Sequence, residues 1–409
     1  MSYLRKLLLL VFSTLGLQSM LSAESPVRPG DHIAILGNTF ADQLRAHGYL
    51  ETLLQGRTTG KAVSIRNLGW GGDMLASRDR PTNFPSEVST LTDHKTDVII
   101  ACFGMGESFA GKAGVADFKR NLGVFIDSHK GKKYNGTSEV RLILVSPIAH
   151  EDHGELTPTV DRRNEELEDY TRAMQAVATA RGLPFVDLYS PTLYLMDVDG
   201  APSLTINGIH LNDYGYWAAS RILADSLVSG TSPWRIRVDA KTGKVTARGV
   251  DVSGFRKANG GLQFKGRETT PPGLGAPVRG GKIHSTLDAN LDRLVVENLK
   301  PGKYILRIDG YRVATATHQQ WAQGITIDQS PTHKAAEAYR QQVNDKNLQF
   351  TYSWKALNQV HIVGERRKSP SGASLPAEVI EFNKLAMLKD KALQAGIPLK
   401  TREWRLDPQ

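Results

Sequence analysis

The sequence predicts an α/β domain with a doubly wound parallel sheet over residues 24–230, a small β-sandwich-like module over residues 231–330 and a helical C-terminal region over residues 331–409. Three observations lead there. Between Asp31 and Gly230, short Val/Ile/Leu-rich runs alternate with helix-period segments, which is the pattern of successive βα units. The runs are almost continuously apolar, as parallel strands covered on both faces require. Beyond Ser232-Pro233-Trp234 the pattern changes to short strands separated by turn signals, and from Pro331 it becomes helical.

Residues 1–23 read as an export signal. Arg5 and Lys6 form a basic start, Leu7 to Leu17 an apolar core, and Leu21-Ser22-Ala23 a cleavage site. The apolar stretch is shorter than the roughly 20 residues that span a bilayer, and no later segment reads as a span. The mature protein is therefore expected to be soluble and exported, either periplasmic or secreted.

Strands are expected at 32–36, 62–67, 97–103, 140–146 and 184–188, and helices at 40–54, 115–128 and 162–180. Glu165, Glu166, Glu168 and Asp169 lie at the start of the third helix and complement its positive end. In the second module, strands are expected at 234–238, 244–250, 294–297, 303–307 and 324–327, with an exposed Gly/Pro-rich loop at 269–281. In the last region, helices are expected at 333–343 and 377–395.

Composition is that of a globular chain: 409 residues, 40% hydrophobic and 23% charged. The single cysteine, Cys102, excludes an internal disulfide, and its apolar run marks it as a core thiol. The net charge of +9 is uneven: residues to Gly230 carry 22 Lys+Arg against 26 Asp+Glu, and the remainder 29 against 16. The basic half reads either as a solvated surface or as one that meets an anionic polymer or membrane. No nucleic-acid motif accompanies it, so no nucleic-acid partner is expected.

In an open α/β sheet, sites form beyond the carboxyl ends of the strands. Gly37-Asn38-Thr39, Gly69-Trp70-Gly71-Gly72-Asp73, Gly104-Met105-Gly106-Glu107-Ser108 and residues 147–153 each follow a predicted strand, so four segments converge on one rim.

The first three of these segments, the second taken from Asn67-Leu68-Gly69, resemble together with Asn207-Gly208-Ile209-His210-Leu211, and in order, the four blocks of SGNH (GDSL-like) hydrolases. The chain is also similar to an exported bacterial subgroup with Gly-Asn-Thr in the first block and a β-rich extension. The resemblance implies a flavodoxin-like sheet, ester hydrolysis without a cofactor or metal, and a small-molecule or glycan ester as substrate. It places Thr39 as nucleophile and His210 as general base. Asn207 stands where the family has the orienting acid. Asn38, Gly71, Gly72, Gly106 and Glu107 are implied at the oxyanion and substrate positions. The backbone N–H groups of Thr39 and of Gly71 or Gly72 would hold the oxyanion.

Three blocks depart from the family pattern. Thr39 replaces Ser; it keeps a hydroxyl but adds a β-methyl that stiffens χ1. It reads equally as a nucleophile and as the cap of the following helix. Gly106 replaces an Asn whose side chain is an oxyanion donor, a loss of about 10²–10³ in rate where it has been measured. Asn207 replaces Asp, a change costing about 10⁴ in serine proteases. Asp213 or Asp73 could take over the orienting role. Two classes follow: an esterase acting on acylated carbohydrate, or a degenerate hydrolase that binds a glycan or another partner.

His150-Glu151-Asp152-His153 reads as a solvated loop or as metal ligands, with a metal-dependent hydrolase as the third class. Ser108 is a further hydroxyl beside Glu107. Trp321 and Tyr311 are either a sugar-stacking pair or interior aromatics. Oligomeric state is not encoded in any of these features.

Overall fold

All five apolar runs of the first domain become strands of one parallel sheet: β1 (His32–Gly37), β2 (Ser64–Asn67), β3 (Val98–Cys102), β4 (Arg141–Val145) and β5 (Phe185–Val186). Their order is β2-β1-β3-β4-β5, so the winding reverses between β1 and β3. The computed structural model describes residues 25–409 apart from 59, 81–83, 199, 230–232, 259, 278–286, 289–290 and 357–368, and apart from the side chains of 371–375. The expected export signal and the 230/231 boundary lie outside the described residues. Among the described residues, no helix is long and apolar enough to cross a membrane.

Successive strand residues point to opposite faces, which explains the unbroken apolar runs. Ile33, Ile35, Val98, Ile100, Cys102, Ile143 and Val145 enter one apolar layer. Ala34, Leu36, Ile99, Ala101, Phe103, Leu142 and Leu144 enter the other. Cys102 is the core thiol expected, and burial pushes its pKa up to about 12.

Helices cover both faces. The expected helix at 40–54 is two helices, α1 (Thr39–His47) and α2 (Tyr49–Arg57), parted at Gly48. Gly48 has φ +65°, and its N–H donates to Leu44 O at 3.2 Å. A side chain there would collide with Asn344, so the break is fixed by packing against a helix distant in sequence. Next come α3 (Glu87–Asp93), α4 (Val115–His129), α5 (Val160–Arg181), α6 (Tyr189–Met196) and α7 (Asp213–Leu227). Of these, α4 and α5 answer the helices expected at 115–128 and 162–180.

The second module is two packed sheets. The first has order β13-β10-β6-β7, built from β6 (Arg235–Asp239), β7 (Val245–Arg248), β10 (Arg293–Glu297) and β13 (Ile325–Thr326). The second is antiparallel, with order β12-β11-β14-β9-β8. It comprises β8 (Val250–Ala258), β9 (Gly261–Glu268), β11 (Lys303–Ile308), β12 (Tyr311–Thr317) and β14 (Arg402–Pro408). Between them lie Trp234, Trp321 and Trp404. Trp321 is fully buried and Tyr311 exposed, so the two do not form a stacking pair. The region beyond 330 is not wholly helical, because β14 returns between β11 and β9. The segment expected as an exposed loop at 269–281 is partly inserted: Leu274 is buried and its carbonyl accepts from Trp217 Nε1 at 2.8 Å.

Three further helices complete the fold: α8 (His318–Gln323), α9 (Pro331–Trp354) and α10 (Pro370–Leu393). Helix α9 joins the two modules. At its start Thr332 Oγ1 donates to Glu268 at 3.1 Å, and His333 Nε2 lies 3.1 Å from Asp292. Farther along, Lys346 is fully buried against α2, 2.7 Å from Glu51 Oε1 and 2.8 Å from the carbonyl of Ile65. Removing one partner of a buried pair strands the other charge and costs about 3–5 kcal/mol, whereas an apolar replacement of both is often neutral. Lys346→Ala is therefore expected to lower unfolding stability by about that amount, and Lys346→Met with Glu51→Leu to recover most of it. Denaturant midpoints measure both; equal midpoints for wild type and Lys346→Ala would contradict the assignment.

Candidate active site

Strand β1 ends where it cannot carry a side chain: a Cβ on Gly37 would collide with the Cys102 carbonyl of β3. Directly afterwards Asn38 caps α1, its Oδ1 accepting from Phe40 N at 3.1 Å. The cap is thus Asn38, not Thr39, and the Asn38 amide oxygen is committed to it. Thr39 is the first helical residue. It is half-buried, and its hydroxyl makes no hydrogen bond among the described residues. Its Oγ1 faces the second block, 3.7 Å from where a Cβ on Gly71 would stand.

In that block Trp70 N donates to Gly37 O at 2.9 Å, and Asp73 N closes a turn onto Trp70 O at 3.0 Å. Gly72, the third turn residue, has φ +86°. The N–H groups of Thr39, Gly71 and Gly72 have no hydrogen-bond acceptor among the described residues. At the positive end of α1 such groups suit a developing oxyanion. Asp73 is held by both terminal nitrogens of Arg80, at 2.8 and 2.6 Å.

The third block is rebuilt, not merely truncated. A Cβ on Gly106 would lie 2.8 Å from Met74 Cγ and 3.1 Å from its Sδ. The Met74 thioether occupies the space into which an Asn side chain would extend. Glu107 is turned away from the cleft. Its carboxylate accepts from Leu75 N and Gly104 N, both at 2.8 Å, bracing one rim loop against the next. Burial raises its pKa. Ser108 is fully buried, donating to Met105 O and accepting from Arg163, each at 2.7 Å, which excludes it as a free nucleophile.

Thr39 and His210 line one cleft of about 180 Å³ with Asn38, Gly72, Gly106 and the apolar side chains of Phe40, Met74, Phe103, Met105, Phe109 and Ile148. No direct hydrogen bond joins Thr39 to His210. The His210 ring meets Asn207 through Nδ1, 3.1 Å from Oδ1 and 2.9 Å from Nδ2. Oδ1 also accepts from His210 N at 3.0 Å, which fixes the amide beside the ring. Nε2 makes no hydrogen bond among the described residues. Neither alternative carboxylate reaches the ring. Asp73 binds Arg80, while Asp213 accepts from Tyr49 OH and lies 2.9 Å from His47 Nδ1.

Sequence reasoning missed the residue that holds this loop. Glu151 is buried, and its carboxylate accepts from Leu204 N at 2.9 Å, Thr205 N at 2.6 Å, Ser203 Oγ at 2.8 Å and Thr205 Oγ1 at 2.5 Å. Its own N–H donates to Gly208 O at 2.9 Å. Gly208 has φ +89°, and a Cβ there would lie 2.5 Å from His150 Nε2. The His150–His153 segment is therefore a cradle for the His210 loop. Among the described residues, no group of three or more His, Cys, Asp or Glu could hold a metal. The only signal in the sequence was an acid between two histidines. Glu151→Gln and Glu151→Ala are expected to lower ester turnover progressively, the latter by roughly 10², a loss typical of catalytic groups displaced by about 1 Å. KM should stay nearly constant. Steady-state kinetics test this, and unchanged kcat in Glu151→Ala would remove the positioning role.

A family model described as GDSL-like Lipase/Acylhydrolase family matches residues 30–218. Among solved structures, the chain is similar to a gut microbial diltiazem-metabolizing enzyme, with 16% identity, a TM-score of 0.69 and coverage of 94% of this chain and 99% of that one. That likeness shows a shared fold across both modules. Other matches are a catalytic mutant of an acetylxylan esterase from Geobacillus stearothermophilus, at 15% identity and TM-score 0.39, covering 50% of this chain and 100% of that one, and a lipase/acylhydrolase from Enterococcus faecalis, at 20% and 0.35, covering 47% and 93%. No curated protein matches the chain. The parallel sheet and the ordered blocks gathered around one cleft lie within residues 30–218, the span that matches the GDSL-like Lipase/Acylhydrolase family model.

Proposed function

We propose that the protein is an exported esterase that removes short acyl groups from carbohydrate by acyl transfer through Thr39. The observation that carries this reading is the joint placement of Thr39 and His210 in one cleft, with Asn207 on the far side of the ring. At about 180 Å³ the cleft is smaller than drug-sized pockets, which run to roughly 300–1,000 Å³. Its floor of Cys102, Phe103 and Met105 suits a short acyl chain. Carbohydrate as the alcohol follows from the family resemblance and the export signal.

Chemically, Thr39 Oγ1 attacks the ester carbonyl while His210 Nε2 takes its proton. The N–H groups of Thr39 and Gly72 receive the charge that develops on the carbonyl oxygen. Collapse breaks the bond to the sugar oxygen, which takes the proton from His210 and leaves the acyl group on Thr39. Water, deprotonated by His210, then releases the acid and restores the hydroxyl. This sequence needs the ring tautomer with hydrogen on Nδ1, donated to Asn207 Oδ1. The opposite arrangement, in which Asn207 Nδ2 donates to Nδ1, leaves hydrogen on Nε2 and blocks the base. That ambiguity of the amide, together with Met74 beside Gly106, favours the second reading, a glycan binder without turnover.

Acetate release from acetylated xylan decides between them. The catalytic reading expects Thr39→Ala and His210→Ala each to fall at least about 10³-fold; equal rates in all three proteins would overturn it. Asn207→Asp should raise kcat by roughly tenfold or more, since a carboxylate accepts only from Nδ1–H and removes the unproductive tautomer. A variant no faster than wild type would show that Asn207 already fixes the ring correctly.

A further inference from the structure

The outer face of the antiparallel sheet carries an arrangement that ordinary sheet design avoids. Tyr304, Leu306 and Ile308 of β11, Trp404 and Leu406 of β14, and Leu262 and Phe264 of β9 point into the core. The alternate residues therefore point outward. Strand register places Arg312 opposite Arg307, Arg307 opposite Arg405, Arg405 opposite Gln263, and Gln263 opposite Arg256. Four arginines and a glutamine thus cross all five strands in one row, spanning about 19 Å at the usual strand spacing.

Like charges directly opposite each other destabilise a sheet, and neighbouring positions obey that rule. Glu403 stands opposite Lys265, and Asp251 opposite Arg267. The central row does not. Its local contacts are partial: Arg405 Nη2 lies 3.4 Å from Asp407 Oδ1, Arg312 Nε donates to Thr315 Oγ1 at 3.0 Å, and Arg256 donates to Gln263 Oε1 at 2.9 Å. Arg307, in the second strand of the row, has no side-chain hydrogen bond or ion pair among the described residues.

We propose that this row is a docking surface for a linear polysaccharide bearing carboxylates, a polyuronate. Guanidinium forks match carboxylates in two-point contacts, and a row of them on a flat sheet repeats that contact along a chain. Gln263 adds an amide for hydroxyl groups. The composition of the face argues against the other polyanions. No aromatic residue stands in the row to stack bases. Among the described residues of these strands, Tyr311 at the edge is the one exposed large hydrophobic side chain, leaving little to insert into a membrane. The choice of a sugar polymer rests on the carbohydrate reading of the cleft, but binding is measurable without turnover.

The test uses unacylated polygalacturonate, titrated calorimetrically into the full mature chain at 150 mM salt, about the physiological ionic strength. Saturable binding is expected in wild type, weakened roughly tenfold or more in Arg307→Gln with Arg405→Gln. Arg237→Gln, on the other sheet and paired with Glu297, should bind as wild type. If the double variant misfolds, the exposed edge substitution Arg312→Gln serves, with a smaller loss. No binding, equal binding by wild type and row variants, or tighter binding of duplex DNA or phosphatidylserine vesicles would each overturn the proposal. Turnover of a small aryl acetate reports on the cleft separately: row variants should keep it, and its absence in wild type would sink the esterase reading while leaving the docking result standing.

Discussion

The geometry of the cleft depends on one close approach, the backbone of Gly37 against the carbonyl of Cys102, where the winding of the sheet reverses. Strands β1 and β3 lie side at side there, and the connections leaving them go to opposite faces. That divergence opens a crevice no side chain needs to carve. Asn38 N donates to Cys102 O at 3.3 Å, so the chain stays anchored until it turns into α1. The cap at Asn38 then fixes that turn, and Thr39 emerges with both hydroxyl and N–H uncommitted. A larger residue at 37 would push β1 from β3 and displace the Thr39 backbone, the cap and the Trp70 N–Gly37 O bond together.

Much of this was legible in the sequence, and the reason is physical. Two-sided burial imposes continuous Val/Ile/Leu runs, and helices between them must bury one stripe, so β1 to β5, α4 and α5 announce themselves. What was hidden depends on partners far away in the chain. The break at Gly48 looks like an ordinary helical glycine until Asn344 is placed against it. Strand β14 alternates as a strand should, with Trp404 and Leu406 inward, but follows a long helix and an eight-residue connection. Blocks of a motif tell which residues are near a site, not where their side chains point. Glu107 and Glu151 make the contrast: the first, inside a block, braces loops, and the second, outside every block, carries the loop of His210.

Two of the departures in the motif, at Gly106 and Asn207, differ in their surroundings. An Asn at 106 and Met at 74 compete for the same volume, so the thioether and the glycine belong to one alteration. It sets apolar surface in the cleft where a polar side chain would stand, and leaves the backbone N–H groups of Thr39, Gly71 and Gly72 as the free donors there among the described residues. Asn207 is a second, independent alteration. It preserves the turn, because Oδ1 accepts from His210 N as a carboxylate would, while changing what the ring experiences. Geometry is retained where it shapes the loop, and charge is removed where it would stabilise an imidazolium. A site so altered retains its shape more securely than its rate.

Helix α9 explains why the second module belongs with the cleft. Its 24 residues span about 36 Å. Thr332 and His333 fasten one end to the β sheets, and Lys346, Asn347 and Lys355 fasten the remainder to α1, α2 and β2. Buried charges are poor sources of net stability, but they tolerate little misplacement, since each relies on its partner to offset desolvation. Lys346 therefore acts as a registration point: sliding α9 by one turn would strand it without Glu51. The arginine row and the Thr39 cleft are consequently held in one relation by packing, and a polymer bound at the row would meet the cleft at a set distance and orientation. On the proposed esterase reading, residence at the row would raise the local concentration of ester at the cleft without asking more of Thr39 or His210.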